Sequence, residues 1–166
     1  LLDVEDLGEP LRHQAALEIT IMGPRLAVLA EADIALAGAR MQVTCNSDPV
    51  PTWSTIRVRP GDVIDIHQVQ SGCRAYLAVS GGLDVPTIMG SQSTYVGGRL
   101  GGFDGRPLAA GDILMARGPV STHRARRLPD DWIPEYPCDI VLRAIPGPQD
   151  HFFDQGLETL FNADYM

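Results

Sequence analysis

Thr55-Ile56-Arg57-Val58-Arg59-Pro60-Gly61-Asp62-Val63-Ile64-Asp65-Ile66-His67-Gln68-Val69 sets the class of the fold. Ile56 and Val58 alternate with Arg57 and Arg59, the two-residue period of a half-buried strand. Pro60-Gly61-Asp62 is turn chemistry: proline presets φ, glycine admits positive φ, and aspartate bonds nearby N–H groups. A second apolar stretch, Val63 to Val69, follows at once. The same rhythm runs upstream through Ala16 to Met22, Arg25 to Ala30, Ile34 to Ala37 and Met41 to Cys45, divided by Gly23-Pro24, Gly38 and Asn46 to Pro51. Downstream, Ala75, Leu77 and Val79 alternate, and Asp112 to Ala116 and Asp139 to Ile145 read as two further strands. Short strands spaced roughly 8 to 12 residues apart predict an all-β barrel or sandwich. Phe153, Leu157, Leu160 and Phe161 fall at helical spacing and predict a short amphipathic C-terminal helix. Gly61-Asp62-Val63-Ile64 is echoed at Gly111-Asp112-Ile113-Leu114, but two copies do not make a repeat architecture.

The 166 residues are read as a single domain, 1–166, or one large piece of one. A chain of this length can bury roughly 70% of its unfolded surface. With 13 basic against 21 acidic side chains the formal charge is −8, which argues against nucleic acid as a partner. All the basic residues are arginine; without lysine there is no Schiff base, no P-loop lysine and no biotinyl-lysine. Glycine and proline, 17 and 13 residues, favour short elements joined by turns. No apolar run approaches the roughly 20 residues that span a bilayer, and no secretory pattern opens the chain. Cys45, Cys73 and Cys138 are widely spaced and odd in number, which predicts reduced thiols in a cytoplasmic protein. The acidic start, Leu1 to Pro10, lacks an initiating methionine and reads as lying inside a longer sequence.

The segment Gly81 to Gly111 carries nine glycines in 31 residues: Gly81, Gly82, Gly90, Gly97, Gly98, Gly101, Gly102, Gly105 and Gly111. Connections this long inside a compact domain are usually functional or disordered. Two readings stand. Successive N–H groups can form an anion-binding concavity, with Arg99 and Arg106 for charge and Ser91, Ser93 and Thr94 for hydroxyls. Alternatively, the glycines serve tight turns alone. Asp62, Asp65, Asp84, Asp104 and Asp112 sit beside glycine turns as backbone caps, and of these Asp84 and Asp104 flank the segment as catalytic candidates. His13, His67, His123 and His151 lack metal-ligand spacing, so no metal site is expected. His123, Arg124, Arg126 and Arg127 form a local basic patch, offset by Asp130 and Asp131.

Gly72-Cys73-Arg74-Ala75-Tyr76-Leu77-Ala78-Val79-Ser80-Gly81-Gly82-Leu83-Asp84-Val85-Pro86 resembles the carboxyltransferase subdomain A and B family, which includes the C-type subunit of 5-oxoprolinase, KipA-like proteins and allophanate hydrolase subunit 2. The resemblance continues through Met89-Gly90-Ser91-Gln92-Ser93-Thr94-Tyr95, Leu100-Gly101-Gly102, Gly105-Arg106-Pro107-Leu108 and Gly111-Asp112. It extends upstream to Ala16-Leu17-Glu18-Ile19-Thr20, Gly23-Pro24 and Ala35 to Ala39, and downstream to Ile145-Pro146-Gly147-Pro148-Gln149-Asp150 and Phe152 to Leu160. Stretches that the family carries at both ends, reading like T-V-Q-D-x-G-R and S-D-R-M-G-Y-R-L, have no counterpart here, so the chain resembles the central part of a member.

This resemblance implies a cyclophilin-like β-barrel and work beside partner subunits. It implies first one component of an ATP-dependent 5-oxoprolinase, which opens the 5-oxoproline lactam to glutamate together with an A-type subunit and a B-type or KipI-like partner, and which is inactive as an isolated fragment. The alternatives are a biotin-dependent carboxyltransferase of the urea carboxylase or allophanate hydrolase type, and a KipA-like, non-catalytic binding partner of a kinase inhibitor. Each activity handles an amide or ureido group and needs stabilisation of a developing oxyanion, for which glycine N–H groups and Arg99 are candidates. The expected ligand contacts are Gly81, Gly82, Ser91, Ser93, Thr94, Gly101 and Gly102, with Asp84 and Arg99 as catalytic candidates.

Overall fold

The computed structural model describes residues 14–117, 125–137, 141 and 143–163. The chain divides into two compact units, Leu1–Tyr136 and Pro137–Met166.

The first unit is one antiparallel sheet built on two long strands, β3 (Ala32–Cys45) and β6 (Val63–Val79). Shorter strands flank them: β1 (Leu17–Thr20), β2 (Arg25–Ala27), β4 (Asp48–Pro49) and β5 (Ile56–Val58). β1 pairs with the C-terminal half of β6 and β2 with its N-terminal half, while β5 and β4 pair with the two halves of β3. The order is therefore β1-β6-β3-β5 at one end and β2-β6-β3-β4 at the other.

Two glycines let the long strands serve both ends. On β3 the buried apolar residues are Ile34 and Leu36, then Ala39, Met41 and Val43; on β6 they are Ile64 and Ile66, then Ala75 and Leu77. Each series changes from even to odd numbers, and a strand with strict alternation cannot keep both sets on one face. The change falls at Gly38 (φ 106) and at Gly72 (φ 84), and the pairing register shifts between Gly38 and Val43. These are bulges that bend the sheet while its apolar face stays inward. Both stretches are expected from sequence as pairs of separate strands, but the glycines bend them instead of breaking them.

The core comprises those residues with Ile19 and Val58. Asp33 is the buried charge among them, and its cross-strand neighbour Arg57 meets both carboxylate oxygens, at 2.5 and 3.0 Å. Arg57 also reaches Glu31 at 3.1 Å, and these carboxylates raise its pKa further. The pair sits in the middle of the β3–β5 ladder and joins its strands with charge-assisted bonds.

The expected strand at Asp112 to Ala116 is absent: only Ala116 makes an isolated bridge, to Leu83. Asp112 is drawn into a side-chain pair described below, and Ile113 and Met115 are exposed. Of the expected strand at Asp139 to Ile145, Asp139, Ile140 and Leu142 lie outside the described residues, and the rest form no strand. In the second unit, α1 (Asp154–Asn162) carries Leu157, Leu160 and Phe161 of the predicted stripe, with Phe153 at its N-cap and Leu160 and Phe161 exposed. The all-β class with one short C-terminal helix is therefore the observed one. Among the described residues no helix is long and apolar enough to cross a membrane.

Candidate functional site

The residues after β6 leave the sheet and return to it at the same place. Asp84 N–H donates to Met115 O at 2.7 Å, and Arg117 N–H donates to Gly82 O at 2.9 Å. Arg117 also binds Asp84 Oδ1 through Nε at 2.8 Å and the carbonyl of Val85 through Nη2. The residues between form a loop tied at its neck, with small turns at Ile88–Ser91 and Tyr95–Leu100.

One side of this loop faces β1. Between them lies a groove of about 790 Å³. β1 and its approach contribute Gln14, Leu17, Glu18 and Thr20, and β6 contributes Tyr76. The opposite wall holds Leu83, Val85, Thr87, Gly90, Ser91, Gln92, Ser93, Thr94, Val96, Gly102, Phe103, Arg106, Pro107, Leu108 and Leu114. An apolar lining with a few polar groups is the usual character of a small-molecule site.

The wall is held by its own bonds. Thr94 Oγ1 accepts the N–H of Phe103 at 3.3 Å, and Ser91 Oγ accepts that of Ser93 at 3.2 Å. Both hydroxyls keep a hydrogen to donate. Gln92 Nε2 donates to Thr87 Oγ1 at 3.3 Å, whereas Gln92 Oε1 is buried without a partner. Arg106 is gripped by Asp112 through two bonds, at 2.7 and 2.8 Å, and lies 4.9 Å from the Phe103 ring centre. Asp112 also accepts the N–H of Ala109 at 2.7 Å. The Arg106 guanidinium and that N–H bring the Asp112 pKa down to about 2.

Most glycines of the segment make room for other chain atoms. A Cβ on Gly102 would strike the Thr94 hydroxyl, one on Gly81 the carbonyl of Arg117, and one on Gly105 the backbone of Arg99. A Cβ on Gly101 would lie 2.7 Å from Ser93 O. Gly90 and Gly111 are positive-φ turn residues with nothing nearby. Several N–H groups are also spent within the chain: Gly82 N–H on Val79 O and Gly105 N–H on Gly101 O.

Of the residues singled out from sequence, Gly90, Ser91, Ser93, Thr94, Gly102 and Arg106 line the groove. Gly81, Gly82 and Asp84 lie at the loop neck instead. Gly101 packs behind the wall, and Arg99 sits in the Tyr95–Leu100 turn, outside the lining. His67 is exposed on β6; His13, His123, Arg124 and Cys138 lie outside the described residues. Cys45 and Cys73 are free thiols. Gln92, Tyr76 and Phe103 carry no chemical signal of their own in the sequence, though Gln92 falls inside the Met89–Tyr95 stretch. Among the described residues no cluster of His, Cys, Asp and Glu is arranged to hold a metal.

The family profile for the carboxyltransferase domain, subdomain A and B, matches residues 7–166. Among curated relatives, the C-type subunit of Escherichia coli 5-oxoprolinase is 34% identical over 88% of this chain and 46% of its own length. The urea amidolyase of Saccharomyces cerevisiae is 39% identical over 60% of this chain and 5% of its own. The crystal structure of Kluyveromyces lactis urea carboxylase superposes with a TM-score of 0.68 at 35% identity, covering 75% of this chain and 12% of that one. The chain thus spans less than half the length of these relatives, all of them named as enzymes or enzyme subunits. Matched over nearly its whole length and sharing their sheet, it belongs to the carboxyltransferase subdomain A and B family.

Proposed function

We propose that this chain is the amide-binding part of a multi-part enzyme that transfers a carboxyl group to urea or a similar uncharged amide. Gln92 carries this reading, because the residue lines the groove and its Oε1 is buried without a partner. An unpaired buried acceptor costs about 1–3 kcal/mol, and the N–H of a ureido or amide ligand removes that cost. Ser91 and Thr94 keep hydroxyl hydrogens for the ligand oxygen, where negative charge develops as the neighbouring nitrogen gains or loses a carboxyl group. Leu83 and Val85, both buried, supply the apolar lining beside them.

Biotin, when bound, supplies the carboxyl group. Its uncharged ureido ring matches the apolar and hydroxyl lining, with Gln92, Ser91 and Thr94 as the groups that would hold it. This chain has no lysine to carry biotin, so the carrier belongs to another part of the enzyme. ATP does not fit this groove: the one arginine among the described lining residues is already bound by Asp112. ATP consumption belongs elsewhere in the complex.

ATP-dependent opening of 5-oxoproline to glutamate, beside A-type and B-type partner subunits, is the second reading, favoured by the match to the E. coli C-type subunit. It ranks second because 5-oxoproline carries a carboxylate, and Arg106 is not free to receive one.

The test uses the full-length protein with its companion subunits, each omitted in turn. Biotin- and ATP-dependent carboxylation of urea is assayed against glutamate release from 5-oxoproline. Urea turnover that requires this chain, and whose kcat/KM falls about tenfold on Gln92→Leu, is the expected result. Glutamate release without urea turnover moves the protein to the second reading. Tight partner binding with neither turnover favours the binding module.

A further inference from the structure

Two charged side chains, Glu18 and Arg106, stand among the described lining residues of the groove, and both are ion-paired. Glu18 is paired with Arg74 at 3.1 Å, outside the wall that carries Gln92. Arg106 lies in that wall. In a site lined otherwise by apolar, hydroxyl and amide groups, a free guanidinium would be the strongest attractor present. Arginine is the side chain best suited to receive a carboxylate through two parallel bonds. Here that two-bond face is already taken by Asp112, at 2.7 and 2.8 Å, while Nη1 also donates to Pro107 O at 3.0 Å. Asp112 is itself fixed by the N–H of Ala109, so the pair cannot part without disturbing the Ala109–Asp112 turn.

We propose that Asp112 determines specificity: by occupying the two-bond face of Arg106 it keeps the groove wall electrically neutral, and so selects uncharged amide or ureido ligands over carboxylates. This rests on the amide-binding reading above. An incoming carboxylate meets the attraction of Arg106 and, from Asp112 bonded to it at 2.7 and 2.8 Å, a repulsion that cancels much of it. A neutral ureido group loses nothing by that cancellation, since its bonds go to Gln92, Ser91 and Thr94.

The test compares two ring-sized probes by calorimetry on the full-length protein: 2-imidazolidinone, an uncharged cyclic urea, and 5-oxoproline, an anionic lactam. The expected result is that wild type favours the neutral probe. Asp112→Asn keeps an acceptor for Ala109 N–H and should tighten 5-oxoproline binding about tenfold, with imidazolidinone changed less than threefold. Arg106→Gln leaves the aspartate alone and carries the opposite sign, weakening 5-oxoproline more than imidazolidinone; it keeps the proposal testable if the first variant does not fold. Wild type that prefers 5-oxoproline, or a selectivity ratio that neither folded variant moves, overturns the inference while leaving the amide site intact. Wild type that binds neither probe overturns the amide reading and this inference together.

Discussion

At Gly102 the sequence spends a residue with no side chain so that Thr94 can have one. Gly102 is buried at φ +53, and a Cβ there would occupy the place of the Thr94 hydroxyl. Gly61 also has a positive φ, but open space around it. An alanine at Gly61 therefore meets only the left-handed penalty, about 1–2 kcal/mol. An alanine at Gly102 meets that penalty and must also displace Thr94, which lines the groove. Gly102→Ala is expected to weaken imidazolidinone binding about tenfold or more, and Gly61→Ala, away from the groove, to leave it within about threefold, with Gly102→Ala the less stable of the two. Equal effects on binding would mean that Thr94 does not contact the ligand. Gly81, Gly101, Gly102 and Gly105 make room for other segments of the chain, a role beside the anion-binding and tight-turn roles read from sequence.

At the scale of the elements, Gly38 decides whether β3 is one strand or two. Its φ is +106, and a Cβ would lie 2.6 Å from Arg74 O and 2.9 Å from Ala75 Cα on the neighbouring β6. Gly38→Val should destabilise the chain by about 1–3 kcal/mol from φ strain alone, with the clash adding to it. Urea denaturation checks this, and an unchanged midpoint would show that the bulge is not required. The class of fold was legible because Ile56, Val58, Ala75, Leu77 and Val79 alternate as strand residues do. The bulges were not, since a glycine in an apolar run marks a bend or a break with the same letter. Asp112 to Ala116 misled because its pattern matches Asp62 to Ile66, and only tertiary contact shows that Asp112 turns to Arg106 while Asp62 binds Asn46. The groove was half legible. Hydroxyls and glycines announced one wall by composition, whereas Tyr76, Leu17 and Thr20 meet that wall only through the pairing of β1 with β6.

The whole molecule is acidic, at −8, and relief of repulsion alone predicts that acid stabilises it. Particular carboxylates reverse that expectation. Asp112 has its pKa lowered to about 2 by Arg106 and the Ala109 N–H. Asp62 is lowered by the Asn46 amide, then by the Arg59 N–H. An aspartate whose folded pKa lies below its unfolded value, about 3.9, holds protons more weakly in the folded state. Its contribution is therefore fully present above about pH 4 and is lost as the pH falls towards 2. Cys45 works from the other side. Burial first, then Asp62 and Asp48, raises its thiol pKa, so its contribution is present below the ordinary thiol range, about 8.5, and fades as the pH rises through the raised value. Stability measured by denaturant melts should thus form a plateau that falls at both ends. Asp112→Asn should lower the plateau and flatten the acid limb, and Cys45→Ala should flatten the alkaline one. An acid limb of unchanged steepness in Asp112→Asn would mean that the Arg106 pair does not hold in solution, and the neutral groove wall would fall with it.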